Sequence, residues 1–166
     1  MGGPLRSGGR PPRSERRLHS YFKQSRIFKL DLDTTPARIV QETVLRDRNG
    51  AAVDLDIEGL ATREDGGFWV ASEGAGSVDD PARPVTTKNL LLQTTPDGTI
   101  VRTVELPAAT NALQRRFGFE GVASVGRGTN EFVYVCIQRE WLDDPAGLVR
   151  IGRFHPASGE WRFYYY

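Results

Sequence analysis

Cysteine is almost absent from this chain of 166 residues: Cys136 stands alone, which excludes an internal disulfide and any cysteine-clustered zinc site. Within "FVYVCIQ" its thiol is expected to be a buried apolar group. Histidine is nearly as scarce. His19 lies in a Gly-, Pro- and Arg-rich segment and His155 beside a turn, so a Ser-His-Asp arrangement is not expected. There is no Gly-x-Ser-x-Gly elbow, and Ser72 sits within "ASEG". The glycines of "SEGAGS" (Ser72–Ser77) have no helix after them, which argues against a phosphate-binding loop. No apolar run approaches the roughly 18 residues of a membrane span. Helical signal is confined to one short turn expected within Leu106–Glu120.

Charge is nearly balanced overall, at +1, but not along the chain. Residues 1–30 hold eight Lys or Arg and one acid, whereas the remaining 136 hold fourteen and twenty. Residues 1–24 read as a disordered basic tail, without apolar periodicity. Its stretch "MGGPLRSGGRPPRSERR" carries no interleaved aromatic and has no recognition fold beside it, so nucleic acid is not an expected partner. It also lacks the apolar core of a secretory signal.

What the chain does have is a repeat. "DIEGLATREDGGFWVASEG" (Asp56–Gly74) and "GFEGVASVGRGTNEFVYVCIQR" (Gly118–Arg139) share one plan. Each has a Glu-Gly pair, small apolar residues, a Gly-containing turn and an apolar run that ends on a polar side chain. Further strand pairs follow each, "NLLLQTTPDGTIVRTVEL" (Asn89–Leu106) and "GLVRIGRFHPASGEWRFYYY" (Gly147–Tyr166). "SRIFKLDLDTTPARIVQETVL" (Ser25–Leu45) is a third copy of that second half. In "GGFWVASE", Phe68, Val70 and Ser72 alternate with Trp69, Ala71 and Glu73, the period of a strand, and "EDGG", "PDG", "GRGTN" and "ASG" supply tight turns. Four short antiparallel strands per repeat is the pattern of a β-propeller. The expected fold is therefore all-β, a fragment of about two and a half blades of a propeller built from antiparallel four-stranded sheets. A closed ring takes about four to eight blades, so exposed sheet edges and self-association through them are expected.

In order, "QSRIFKLDLDTTPARIVQETVLRDRNGAAVDLDIEGLATREDGGFWVASEG", "NLLLQTTPDGTIVRTVELPAA", "RFGFEGVA" and "LVRIGRFHPASGEWRFYYY" resemble the phytase-like family, or "esterase-like activity of phytase". The likeness covers residues 25–166 as a partial phytase-like domain. It implies a secreted or periplasmic hydrolase acting on a small phosphorylated or other ester. More distantly, the chain is similar to the calcium-dependent β-propeller alkaline phytases. In that likeness Glu58 and Glu120 match Glu-Gly positions that open inner strands, Glu73 matches a strand-end acid, and Gln138 stands where a related amide does.

The carboxylates allow two readings. If the first strand of each blade lines a channel, Glu58, Glu73 and Glu120 meet there and repel one another unless neutralised. A calcium ion, which prefers six to eight oxygen ligands, suits that donor set, and it would activate water for ester hydrolysis without a protein nucleophile. Gln138 and Arg139 are then candidates for binding an anionic substrate, the guanidinium matching phosphate geometry. In the other reading the acids accept backbone N–H bonds that lock adjacent blades, and the chain is a non-catalytic binding module or an inactive fragment. The two "DDPA" segments, Asp79–Ala82 and Asp143–Ala146, are expected to be solvated turns. Trp69, Trp141, Trp161 and the terminal tyrosines are expected to be packing aromatics.

Overall fold

The computed structural model describes the backbone of Leu18–Tyr21 and all of residues 25–166. Three antiparallel sheets follow one another along the chain. The first contains β1 (Leu18–Tyr21), β2 (Arg26–Asp31) and β3 (Arg38–Val44). β4 (Asp56–Thr62), β5 (Phe68–Glu73), β6 (Leu90–Thr94) and β7 (Ile100–Glu105) form the second, in sequence order. The third contains β8 (Phe119–Val125), β9 (Phe132–Ile137), β10 (Arg150–His155) and β11 (Glu160–Tyr165), each paired with its sequence neighbour. A single helical turn, α1 (Ala108–Asn111), lies in the connection between the second and third sheets. This is an arc of propeller blades. The half blade read from Ser25–Leu45 gains β1, which pairs with β2 from Leu18↔Lys29 to Tyr21↔Arg26. β1 falls within the segment read as a tail; the rest of residues 1–24 lies outside the described residues.

The second sheet is buried on both faces, and the alternation of β5 explains how. Phe68 and Val70 join Ile27, Leu45, Ile57 and Leu92 in a core toward the first sheet. Trp69 and Ala71 join Leu91, Phe119, Val133, Val135, Ile137, Trp141 and Phe154 in a core toward the third. The period of two therefore sorts side chains between two cores rather than between core and water, and all of Phe68–Ser72 is buried. Trp69 also ties the sheets by a polar bond, its Nε1–H donating to Glu131 Oε1 at 2.8 Å.

Stacking brings the first strands of neighbouring sheets side by side. A Cβ on Gly59 in β4 would lie 2.6 Å from the backbone nitrogen of Val122 in β8, so only hydrogen fits there. Both first strands also carry a β-bulge at the Glu-Gly pair. Ile57 and Gly59 face Ser72 and Ala71, with Glu58 as the extra residue. Phe119 and Gly121 face Ile137 and Cys136, with Glu120 as the extra residue. A bulge leaves one residue out of the ladder and re-aims its side chain. The Glu-Gly repeat is thus the sequence trace of a repeated bulge.

Three expectations are corrected. Cys136 is exposed: Val133, Val135 and Ile137 take the core side of β9, and alternation puts Cys136 on the opposite face. Tyr164, Tyr165 and Tyr166 are exposed as well. Tyr164 and Tyr165 lie under the guanidiniums of Arg153 and Arg150, whereas Trp69 and Trp141 are core residues. The second "DDPA" is more than a solvated turn, because Asp143 and Asp144 both pair with buried Arg150 and the Asp144 side chain is fully buried.

Gly59→Ala is expected to destabilise the fold by about 1–3 kcal/mol, the usual cost of overpacking. Urea denaturation measures it. A variant as stable as the parent would mean that β4 and β8 do not approach so closely.

Candidate functional site

β4 and β5 begin and end together, and their pairing places Asp56 directly opposite Glu73. Like charges directly opposite in a sheet are destabilising. The bulge adds Glu58 to the same end, and one carboxylate oxygen from each of Asp56, Glu58 and Glu73 lies within 4.8 Å of the others. Among the described residues no Lys, Arg or His forms an ion pair with any of the three. The cluster is therefore an all-oxygen donor set with uncompensated charge, the chemistry that takes up a hard cation.

The electrostatics follow from that crowding. Burial, then the charges of Asp56, Glu120 and Glu73, push Glu58 up from 4.5 to about 7. Glu73 is raised chiefly by burial and further by Asp56 and Glu120, against backbone N–H groups of Gly118 and Phe117 that lower it. The bond from Gly118 N–H to Glu73 Oε1 is 2.5 Å long and joins the second sheet to the start of the third. Glu73 thus locks blades, the structural role foreseen for the Glu-Gly acids. Among the described residues the side chains of Glu58 and Glu120 accept no hydrogen bond.

Asn89 holds the junction in place. It is fully buried, and its Oδ1 accepts the N–H of Gly74 at 3.1 Å and of Phe119 at 2.7 Å. A Cβ on Gly118 would sit 2.0 Å from that Oδ1, so glycine is required at the point where the sheets meet. Gln114, also fully buried, donates its side-chain Nε2–H to Thr87 O at 2.9 Å, and its backbone carbonyl accepts Val78 N–H at 2.9 Å.

Of the residues singled out from sequence, Glu58 and Glu73 come together. Glu120, exposed on β8, stands outside the three-carboxylate cluster but close enough to raise both. Gln138 and Arg139 lie elsewhere, in an open groove of about 820 Å³ lined also by Ser77, Asp79, Arg115 and Phe117. Asp56 was missed. Its signal was the Asp-x-Glu spacing of "DIEG" opposite the strand-end acid of "ASEG". The third sheet does not repeat the cluster: register puts Gly118, Glu120 and Gln138 where the second sheet has Asp56, Glu58 and Glu73.

Fold and site together define a β-propeller protein with an acidic centre where its blades meet. The chain belongs to the phytase-like family, described as esterase-like activity of phytase, whose model matches residues 16–166. The match begins ahead of Ser25 and takes in β1. It is to this family, and the fainter likeness to β-propeller alkaline phytases is no part of it. Comparison with curated proteins and with solved structures gives no match. Among the described residues no helix is long and apolar enough to cross a membrane.

Two outcomes are expected. Asn89→Ala leaves the buried N–H groups of Gly74 and Phe119 without a partner, at about 1–3 kcal/mol each; equilibrium urea unfolding reads the loss. In chelator, the stability that Glu58 contributes should be fully present below pH 4.5 and be lost as pH rises through about 7. Folded Glu58 keeps a proton that the unfolded chain releases, so the folded state binds more protons across that window. Glu58→Gln should flatten this slope in thermal melts taken from pH 4 to 8, and an unchanged slope would contradict the assignment.

Proposed function

We propose that the protein is a metal-assisted ester hydrolase, with calcium held by Asp56, Glu58 and Glu73 and with Glu120 strengthening the field. The observation that carries the reading is the convergence of three unpaired carboxylates within 4.8 Å. Calcium is favoured over zinc because the set contains neither imidazole nor thiolate, and over magnesium because calcium tolerates irregular shells of six to eight oxygens. When bound, such a cation polarises the phosphoryl or carbonyl oxygen of an ester and makes water a competent nucleophile. The residues themselves hold the centre. Asp56 and Glu73 are fixed across a strand pair, Glu58 projects from a bulge, and the N–H groups of Phe117 and Gly118 orient Glu73. Glu58 must lose its proton to act as a ligand, so cation affinity should rise as pH passes through about 7.

A second reading, a non-catalytic propeller module, is favoured by the bond from Gly118 N–H to Glu73, which gives one acid a structural role without any metal.

Calcium separates the two. Under the enzyme reading, calcium at a hundredfold excess over its Kd should stabilise the protein by about 2.7 kcal/mol, and chelator should abolish turnover of a generic phosphomonoester. Glu58→Gln should make the chelated protein more stable above pH 7, by removing repulsion, while losing the response to calcium. If calorimetry detects no calcium binding and chelator changes neither melting nor turnover, the binding-module reading stands instead.

A further inference from the structure

The second and third sheets are built alike, so residues of one have counterparts in the other. Ala71 pairs with Gly59 and Leu91, and Cys136 pairs in the same way with Gly121 and Ile151. Trp69, Ala71 and Leu91 are fully buried because the third sheet covers them. Their counterparts Tyr134, Cys136 and Ile151 lie on the side of the third sheet away from Val133, Val135 and Ile137, by the alternation of a strand. No sheet of the described residues covers that side. Cys136, Val125 and Tyr164 are exposed on it. The glycines show the same difference. A Cβ on Gly59 would meet Val122 N at 2.6 Å, whereas one on Gly121 would meet nothing within 4 Å.

Charge says what fits there. Arg153 and Arg162 face each other across β10 and β11 on this side, and among the described residues neither has a carboxylate partner. Arg153 lies instead over the rings of Phe132, at 4.7 Å, and Tyr164, at 5.7 Å. Like charges directly opposite are destabilising. Two copies of this face set against each other would gather four guanidiniums, so the face does not suit itself. At the other end of the arc the first sheet has an open side too. Ile27 is buried toward the second sheet, and Thr43 packs on its β6–β7 turn at Gly98. Alternation therefore puts Leu30, Ile39 and Glu42 on the far side. Ile39 is exposed there, and the Glu42 carboxylate pairs with Arg26 at the surface.

We propose that the open face of the third sheet docks on the open face of the first sheet of a second copy of this chain, and that two copies close into one ring. The contact continues the packing already present between the sheets, in which each sheet is covered by the one that follows it. Head-to-tail contacts of this kind make closed rings only when the rotation per copy closes. One chain supplies three sheets, two supply six and three would supply nine, whereas a closed propeller takes about four to eight blades. Two is the number of copies that closes. Leu30 and Ile39 then cover the apolar residues around Ile151, and Glu42 comes to the side that holds the unpaired Arg153 and Arg162. Both open apolar faces are hidden at once, which removes an aggregation liability. The inference is independent of the metal chemistry, although the ring would carry two acidic clusters, one from each copy.

The test is sedimentation velocity of the full chain over a wide range of concentration. The parent should run at twice the mass of one chain and fall to a single chain only on dilution. Ile151→Lys on the third sheet and Ile39→Lys on the first should each run as one chain, with the circular dichroism of the parent to show that the sheets still form. A mixture of the two variants can rebuild one unaltered contact, between the first sheet of the Ile151→Lys chain and the third sheet of the Ile39→Lys chain. The mixture should therefore associate where neither variant does alone. The thiol of Cys136 gives a reading that needs no mutation: it lies under the partner in the ring, so its reaction with a disulfide reagent should slow about tenfold or more as the parent associates. The proposal is overturned if the parent runs as one chain, or as three or more, at every concentration. It is equally overturned if Ile39→Lys pairs as well as the parent, which would mean that third sheets meet each other. A mixture that stays unassociated, or a Cys136 thiol equally reactive in both states, also contradicts it.

Discussion

The fold turns on burying one sheet from both sides. A four-stranded sheet with only one covered face would leave Phe68, Val70 and Leu92, or else Trp69, Ala71 and Leu91, in water. Each of those trios represents several kcal/mol of apolar transfer free energy, at about 1.5–3 kcal/mol for each large side chain. Covering both faces forces the first strands of neighbouring sheets together, where Gly59 lets its backbone touch that of Gly121 and Val122. Everything proposed for the site depends on that approach, because it fixes where the strand-end groups lie.

The close approach is paid for in charge and in backbone strain at a single place. Asp56 and Glu73 oppose each other, Glu58 is added by a bulge, and Phe117 is held in the left-handed region. Nothing in the packing requires three acids at that point, since the corresponding positions of the third sheet carry Gly118, Glu120 and Gln138. The third sheet pairs its strands in the same register without those acids, so strand pairing by itself does not demand them. That contrast is the best reason for reading the cluster as functional, while the Glu73–Gly118 bond shows how one member serves both ends.

The N–H groups of Phe117 and Gly118 tie the acidic cluster to the start of the third sheet through Glu73, whereas the ring of Phe117 lines the separate groove that holds Gln138 and Arg139. The family's description, esterase-like activity of phytase, agrees with ester chemistry at this level of detail.

Much of this was legible in the sequence. Strand periods, turn glycines and the 62-residue spacing from Glu58 to Glu120 determined an all-β repeat, because alternation and turn chemistry are local properties of the chain. Glu58 and Glu73 could be picked out by their place at strand ends. Asp56 was passed over although "DIEG" places it two residues before Glu58, because its weight comes from facing Glu73 across a strand pair whose register a bulge resets. Cys136 was misjudged because alternation says that a residue changes face but not which face has a neighbour. The same limit applies to Phe117: nothing in "RRFGFEG" announces a left-handed phenylalanine. Local sequence determined which strands form and where they turn; only the stacking of the sheets decided which faces are buried and which charges meet, because both depend on residues far apart in the chain.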